Sequence, residues 1–413
     1  MRRKELSIAS KVAGLLFAVG LLSAGAVAQD GYNPYGGLVS DAAGNLYGMT
    51  SDGGAYDYYG MVFELTAVDG WPEESLFSFD QIDGYTPYAG LIFDSSGNLY
   101  GTTRFGGAHG EGTVFELIPK SDGTWKRKVL HNFNPNGEDG TYPTCALIFD
   151  SAGNLYGTTG LGGAHNNGTV FKLTPVAGAG WSETVLHNFN PNGKDGISPY
   201  AGLVSDSAGN LYGTTPGGGA HSYGTAFELT PKTGGGWTEK VLHNFNGEAG
   251  AYPKGSLTVD KAGNLYGTTI EGGAYGDGVV FELTPEAGGG WTEKALHNFN
   301  PSRKDGVSPY SGLIFDAAGD LYGTTIEGGG HNGGTVFELS PGTGGGWTET
   351  VLHRFDDKST DGNTPYASLI FDAAGNLYGT TYSGGVYGAG TVFELTPQAG
   401  DWTETILHNF SDQ

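Results

Sequence analysis

The segment Gly153-Asn154-Leu155-Tyr156-Gly157-Thr158-Thr159 recurs, with small changes, seven times along the chain. Its tyrosine returns at intervals of 53 to 56 residues, as Tyr47, Tyr100, Tyr156, Tyr212, Tyr266, Tyr322 and Tyr378. Each repeat also contains one tryptophan: Trp71, Trp125, Trp181, Trp237, Trp291, Trp347 and Trp402. A fixed period of this length is typical of architectures in which each unit buries its apolar face on its neighbours. We therefore expect the tryptophans to lie in the core.

Each repeat divides into four strand-like runs bounded by turn residues. In the third repeat these runs are 147–150, 154–159, 169–174 and 181–189, which we name strands A, B, C and D. Pro175 ends strand C, because proline cannot donate a hydrogen bond to a sheet. No sustained helical periodicity occurs outside the first 28 residues. The pattern predicts an all-β protein built from four-stranded antiparallel units.

Seven such units without covering helices must bury their sheets on one another, which a seven-bladed β-propeller achieves. A parallel β-helix and a row of separate hairpin domains are the alternatives. The motif Asp-Gly-x-x-Pro-Tyr precedes strand A in several repeats and also occurs at 30–35, while the chain ends after a strand D. We therefore expect the ring to close without a shared strand. The predicted single domain is 29–413, with blades near 30–82, 83–138, 139–194, 195–248, 249–304, 305–360 and 361–413.

Composition excludes several classes of protein. Glycine contributes 76 of 413 residues without the three-residue period of collagen, and the 12% aromatic content is too high for a disordered linker. A single cysteine excludes a disulfide framework. The net charge of −24 makes nucleic acid and anionic membranes poor partners. Metal ions, neutral sugars and basic proteins remain open as partners.

The first 28 residues have the pattern of a secretory signal peptide. Arg2, Arg3 and Lys4 precede an apolar run at 12–22, and Ala26-Val27-Ala28 resembles a signal-peptidase site. The apolar run is short for a membrane span. We predict a secreted protein, extracellular or periplasmic, which is a monomer and has no membrane span after cleavage.

The repeat resembles the GloVer tandem-repeat family of secreted bacterial proteins. The family pattern Gly-Leu-x-x-Asp-x-x-Gly-Asn-Leu-Tyr-Gly-Thr-Thr, followed by Gly-Gly and Gly-Thr-Val-Phe-x-Leu, matches 90–103, 106–107 and 112–117. The resemblance extends over 37–413. It implies a secreted repeat protein, and it implies no enzymatic activity or catalytic residues.

Antiparallel alternation places the B–C and D–A loops on one face of the propeller, which we name the BC/DA face. Loops on a rigid scaffold commonly carry binding sites. One B–C position is always His or Tyr, a flat side chain with a polar tip that suits stacking on sugars; packing between loops is the alternative. The predicted ligand-binding residues are Tyr56, His109, His165, His221, Tyr275, His331 and Tyr387.

Two acidic series are candidates for chemistry. The Asp-Gly aspartates could form a ring that attracts Ca²⁺, the one cofactor considered, although turn formation explains them more simply. They are Asp30, Asp83, Asp139, Asp195, Asp305 and Asp361. Three carboxylates before Gly-Gly could act as general acid and base: Asp52, Glu271 and Glu327. The strand-D histidines, such as His131, are interpreted as packing residues because Phe77 replaces one of them.

The function predicted from these features is a non-catalytic binding or surface-interaction module for neutral extracellular glycans or basic surface proteins. A glycan-cleaving or lactonase-like enzyme that uses Asp52, Glu271 and Glu327 is the alternative. A purely structural extracellular repeat protein is the second alternative.

Overall fold

The computed structural model describes residues 30–56, 58–178, 180–300, 302, 305–356 and 360–412. These residues form seven four-stranded antiparallel sheets with the order A-B-C-D. The sheets are the blades of a seven-bladed β-propeller, which we number in chain order, and the predicted fold class is confirmed. No α-helix occurs within this described part of the chain.

The strands recur at equivalent positions in every blade. Strand A is Val39–Ser40, Ile92–Phe93, Ile148–Phe149, Val204–Ser205, Thr258–Val259, Ile314–Phe315 and Ile370–Phe371. Strand B is Leu46–Thr50, Leu99–Thr103, Leu155–Thr159, Leu211–Thr215, Leu265–Thr269, Leu321–Thr325 and Leu377–Thr381. Strand C is Met61–Leu65, Thr113–Pro119, Thr169–Val176, Thr225–Pro231, Val279–Pro285, Thr335–Pro341 and Thr391–Gln398. Strand D is Glu73–Ser78, Trp125–Asn132, Gly180–Asn188, Trp237–Asn244, Trp291–Asn298, Trp347–Arg354 and Asp401–Asn409.

The recurring strand-B segment forms a strand that is buried on both faces. All five residues of Leu155–Thr159 are buried. Gly157 is required there, because a Cβ atom at this position would lie 2.7 Å from Cζ of Phe171. The A–B turn before it is fixed by Asp150, whose Oδ1 accepts hydrogen bonds from the backbone N–H groups of Ala152 and Asn154, both at 2.9 Å. The turn role of this aspartate follows from these bonds.

Adjacent blades pack through aromatic pairs. A fully buried phenylalanine that follows strand D meets a strand-C phenylalanine of the next blade, as in Phe189 and Phe227, with ring centres 5.2 Å apart. Each repeat tryptophan lies against the strand-B tyrosine of the preceding blade, and the Tyr156–Trp237 ring centres are 6.3 Å apart. The tryptophans are half-buried, so they flank the inter-blade core rather than fill it.

The ring closes by packing between blade 7 and blade 1, as predicted. The hydroxyl of Thr380 donates to the carbonyl of Gly36 at 3.2 Å, which repeats the bond from Thr158 to the carbonyl of Ala201. Phe410 and Phe63 have ring centres 5.1 Å apart. No sheet takes strands from both ends of the described chain, since blade 1 uses strands between 39 and 78 and blade 7 uses strands between 370 and 409.

The predicted signal peptide at 1–28 lies outside the described residues. Within the described residues, no helix has the length and apolar character needed to cross a bilayer. The repeat boundaries given above remain predictions.

Candidate functional site

Short pairings join the D–A and B–C loops of the same blade. Five blades form two-stranded ribbons: Gly31–Tyr32 with Asp52–Gly53, Gly140–Thr141 with Leu161–Gly162, Gly196–Ile197 with Gly217–Gly218, Gly306–Val307 with Glu327–Gly328, and Gly362–Asn363 with Ser383–Gly384. Single bridges, Tyr85 with Phe105 and Ala251 with Glu271, take their place in the other two blades. These pairings hold the BC/DA face together and position the residues that lead into strand A.

A cavity of about 460 Å³ lies where the starts of the seven A strands converge on the propeller axis. Each blade contributes the residue that follows the proline of its D–A loop. This ring of seven is Tyr35, Tyr88, Thr144, Tyr200, Lys254, Tyr310 and Tyr366. We name this space the axial cavity.

One side of the axial cavity is a packed group of tyrosines. Tyr35 stacks on Tyr366 with ring centres 4.5 Å apart, and its ring centre is 4.7 Å from that of Tyr88. Its hydroxyl donates to the hydroxyl oxygen of Tyr310 at 2.8 Å. Burial, together with the neighbouring phenols, raises the pKa of Tyr35 far above its usual range. The group therefore offers neutral hydroxyls and aromatic faces.

The axial cavity also contains two cationic side chains. The Lys254 ammonium lies 4.9 Å from the ring centre of Tyr200 and 5.7 Å from that of Tyr310. The Arg104 guanidinium lies 5.3 Å from the ring centre of Tyr88. Burial lowers the pKa of Lys254, because the charged ammonium loses hydration.

The cavity lining has unpartnered polar side-chain atoms and no described carboxylate. Arg104 Nε and Thr144 Oγ1 are buried and have no hydrogen-bond partner among the described residues. None of the described residues that line the cavity is an aspartate or a glutamate. The arrangement suits a ligand that brings its own negative charge.

These residues were not predicted from the sequence, although a signal is present. Thr144 and Lys254 are the two departures from the Pro-Tyr pair of the D–A loop, and Arg104 stands where other repeats have small or apolar residues or Tyr382. Residues that break a repeat pattern at one place are candidates for a unique site, and these three converge only because the ring closes.

The predicted His/Tyr series lies at the exposed tips of the B–C loops. Tyr56, Tyr275 and Tyr387 are each more than half exposed. The loop tips are tied to the outer strand: the N–H of Ala164, next to His165, donates to Oδ1 of Asn188 at the end of strand D, at 2.8 Å. The series therefore lies on the predicted face, towards its outer edge, and does not line the axial cavity.

The three candidate catalytic carboxylates do not form a cluster. Asp52 accepts hydrogen bonds from Ser51 Oγ at 2.7 Å and Asn33 Nδ2 at 3.2 Å, whereas Glu271 and Glu327 are exposed. In some groups of described acidic and histidine residues, a ring nitrogen or carboxylate oxygen of each member lies within 4.8 Å of the others. These three carboxylates are not in any of those groups. Glu327 contributes to the raised pKa of Tyr366, after the larger effect of burial, so it lies near the axial cavity.

The Asp-Gly aspartates occupy separate junctions between blades, where most of them face a strand-D histidine. Nε2 of the histidine lies 2.9 to 3.5 Å from an aspartate Oδ2 in the pairs His131–Asp139, His187–Asp195, His297–Asp305, His353–Asp361 and His408–Asp30. The histidine ring also packs edge-on against the phenylalanine two residues later. The ring centres of His131 and Phe133, for example, are 4.7 Å apart. The packing role predicted for these histidines therefore accounts for only part of their contacts.

A glutamate of the next blade completes four of these five junctions. At the junction of blades 2 and 3 this residue is Glu183. One of its carboxylate oxygens lies within 4.8 Å of a ring nitrogen of His131 and of a carboxylate oxygen of Asp139. The pKa of Glu183 is raised to about 7, mainly by burial and then by the Asp139 carboxylate, while His131 opposes the shift. The sequence did not reveal this glutamate, because strand D of the following blade supplies it.

The sequence pattern called the Gloeobacter/Verrucomicrobia repeat matches residues 34–259 and 206–413, and the two matches together extend over nearly the whole described chain. The chain belongs to this family. The GloVer resemblance noted from the repeats is thereby confirmed. Among curated proteins, none matches this member of the family.

Solved structures with the same fold include proteins that act on glycans. An ancestral GH74 enzyme superposes with a TM-score of 0.59 at 12% identity, over 86% of this chain and 47% of its own. The extracellular domain of a protein described as a one-component system of B. thetaiotaomicron superposes with a TM-score of 0.54 at 14% identity, over 87% of this chain and 38% of its own. A PL25 ulvan lyase bound to -[GlcA(1-4)Rha3S]- superposes with a TM-score of 0.51 at 12% identity, over 92% of this chain and 94% of its own. The Gloeobacter/Verrucomicrobia repeat chain thus spans less than half the length of the first two, and at these identities the likeness shows the fold alone.

Proposed function

We propose that this protein is an exported, non-catalytic carbohydrate-binding propeller whose axial cavity takes an acidic sugar unit. The observation that carries the proposal is the combination of five tyrosines with Arg104 and Lys254 in a cavity of about 460 Å³ whose described lining has no carboxylate. That volume falls within the range of small-molecule sites.

The tyrosines supply the surface on which a sugar ring can stack. An aromatic ring covers the apolar face of a sugar, and a phenolic hydroxyl can donate to or accept from sugar hydroxyls. The Lys254 ammonium lies over the Tyr200 ring, so it would meet a charged substituent of a sugar held by the neighbouring tyrosines.

The two cations decide the charge of the ligand. Cationic side chains that lack a carboxylate partner in a half-buried site are stabilised by an anion, and Arg104 Nε is a buried donor without a partner among the described residues. A carboxylate or sulfate group on the sugar would supply that partner. This revises the neutral glycan expected from the net charge of −24, since charges beyond a Debye length of about 8 Å are largely screened at physiological salt.

The glycan-acting proteins with this fold are compatible with the proposal, and so is the signal-like sequence at 1–28, which would place the protein where polysaccharides occur. The axial site also replaces the loop-tip series as the preferred site. The loop tips are exposed and lie one per blade, so each could contribute only a weak contact.

The test is isothermal titration calorimetry with two matched probes, an oligogalacturonate and a neutral oligosaccharide of the same length. We expect the acidic probe to bind at least about tenfold more tightly than the neutral one, a difference of about 1.4 kcal/mol. Lys254→Gln and Arg104→Gln should each weaken binding of the acidic probe, and His165→Ala at a loop tip is the matched control. Equal affinity for both probes, or acidic binding that is unchanged in both variants, would overturn the proposal.

The same mixtures test the non-catalytic part. After prolonged incubation, chromatography should show the acidic oligosaccharide intact. Shorter products that disappear in Asp52→Asn or Glu327→Gln would instead support the enzyme alternative.

A further inference from the structure

We propose that four junctions between blades are binding sites for a divalent first-row transition-metal ion such as Zn²⁺. Each junction combines a strand-D histidine, a D–A loop aspartate and a strand-D glutamate of the next blade. The four clusters are His131, Asp139 and Glu183; His187, Asp195 and Glu239; His297, Asp305 and Glu349; and His353, Asp361 and Glu404.

The geometry places three ligand atoms around one point. In each cluster one atom per residue lies within 4.8 Å of the other two. At the junction of blades 2 and 3, Nε2 of His131 is 3.0 Å from Oδ2 of Asp139. Tetrahedral zinc with bonds of about 2.0–2.2 Å needs ligand atoms roughly 3.3–3.6 Å apart. His131 Nε2 and Asp139 Oδ2 would therefore separate by a few tenths of an ångström, and the Glu183 carboxylate oxygen already lies within 4.8 Å of both.

Buried oxygens at these junctions lack a partner. Asp139 and Asp195 are each 7% exposed, and Oδ1 of each has no hydrogen-bond partner among the described residues. Oε1 of Glu183 and Oε1 of Glu239 are also buried without a hydrogen-bond partner among the described residues. The Asp139 and Glu183 carboxyls face each other, with one oxygen of each within 4.8 Å of the other. A cation between them satisfies both.

The junction of blades 1 and 2 supports this argument from within the same chain. There Phe77 replaces the histidine and Arg127 replaces the glutamate, and the Arg127 guanidinium pairs with Asp83. A positive side chain thus occupies the junction that lacks the nitrogen ligand. One imidazole and two carboxylates form a donor set that Zn²⁺ accepts, whereas Ca²⁺ takes oxygen ligands only.

Each of two junctions opens into a recess that gives an ion access. Recesses of about 450 and 480 Å³ adjoin the clusters of blades 2 and 3 and of blades 3 and 4. The N–H of Asn134 donates to Oδ2 of Asp139 at 3.0 Å, which orients that carboxylate as outer groups do around bound metals.

The test is the zinc content of the purified full-length chain. The protein is dialysed against a chelator, loaded with ZnCl₂, freed of excess by gel filtration and measured by inductively coupled plasma mass spectrometry. We expect four Zn²⁺ per chain, three in Glu183→Gln and two in Glu183→Gln combined with Glu239→Gln, with the folded monomer peak retained. Glu286→Gln, which alters an exposed glutamate of a C–D turn, should leave four.

A gain-of-site variant tests the same proposal without removing any group from the four clusters. Phe77→His combined with Arg127→Glu should raise the content to five, because it recreates the cluster around Asp83. Less than one Zn²⁺ per chain in the unaltered protein, or a content that Glu183→Gln leaves unchanged, would overturn the proposal.

Discussion

Arg127 and Asp83 form an ion pair at the junction of blades 1 and 2, where neither the histidine nor the glutamate of the other junctions is present. The guanidinium also lies 5.4 Å from the ring centre of Phe77, the residue that replaces the histidine. Phe77 and Arg127 therefore act together. The arginine neutralises Asp83 and covers the ring of Phe77, which takes the place of the histidine that faces the aspartate at other junctions.

Removing this arginine should destabilise the protein. In Arg127→Gln, Asp83 keeps its charge and loses its partner, and both side chains are at least three-quarters buried. We expect the free energy of unfolding in urea to fall by about 1–3 kcal/mol. Lys128→Gln is the matched control, because the Lys128 side chain is 45% exposed and its partner Glu116, at 3.4 Å, keeps a hydrogen bond from the Tyr100 hydroxyl. We expect this variant to lose less than about 1 kcal/mol. Equal losses in the two variants would contradict the importance of the buried pair.

The closing junction should resemble an internal one energetically. Phe410→Ala removes a fully buried ring that packs on Phe63, and Phe189→Ala removes its equivalent at the junction of blades 3 and 4. Each should lower the free energy of unfolding by about 3–5 kcal/mol. Denaturant unfolding of both variants gives the comparison. A loss below about 1 kcal/mol for Phe410→Ala alone would show that the ring is open at that junction.

Stability should depend on pH through Glu293, at a junction whose D–A loop lacks the aspartate. Burial raises the pKa of Glu293 to about 7 from 4.5. The folded protein therefore keeps the proton when the unfolded chain releases it. The stabilisation is fully present below about pH 4.5 and is lost as the pH rises to about 7.

Urea unfolding in a chelator-containing buffer checks this dependence. Between about pH 5 and pH 7 the unaltered protein should lose more stability than Glu293→Gln, which cannot titrate. Glu286→Gln, at an exposed position, should follow the unaltered protein. Superimposable profiles for Glu293→Gln and the unaltered protein would show that the Glu293 carboxyl is not buried as described.

The loop-tip histidines separate the two candidate sites. Since these side chains are exposed, replacing His109, His165, His221 and His331 together by alanine should change stability by no more than about 0.5 kcal/mol per position. Binding of an acidic oligosaccharide should be unchanged in calorimetry. If binding is lost while the melting temperature is retained, the loop-tip series is the site and the axial assignment is wrong.

The repeat pattern was sufficient to predict the fold. Asp150 and Gly157 recur at fixed positions because every blade needs the same turn and the same glycine beneath a phenylalanine, so the blade count followed from counting them. The same regularity concealed the axial cavity. Arg104, Thr144 and Lys254 belong to blades 2, 3 and 5, and only ring closure brings them together.

Two of the three residues in each inter-blade cluster could be recognised from the sequence. His131 and Asp139 are eight residues apart and recur together, whereas Glu183 follows 44 residues after Asp139 on the outer strand of the next blade. A pattern read one repeat at a time treats the histidine as a packing residue. The contact between strand D of one blade and strand D of the next supplies the missing glutamate.

The most direct test of the central claim is a crystal structure of the protein with a bound oligogalacturonate. We predict density for one sugar unit in the axial cavity, stacked on a tyrosine of the ring, with its carboxylate within hydrogen-bonding distance of Lys254 Nζ or the Arg104 guanidinium. Density for the sugar at the loop tips around His109 or His165, with the axial cavity free of ligand, would contradict the account.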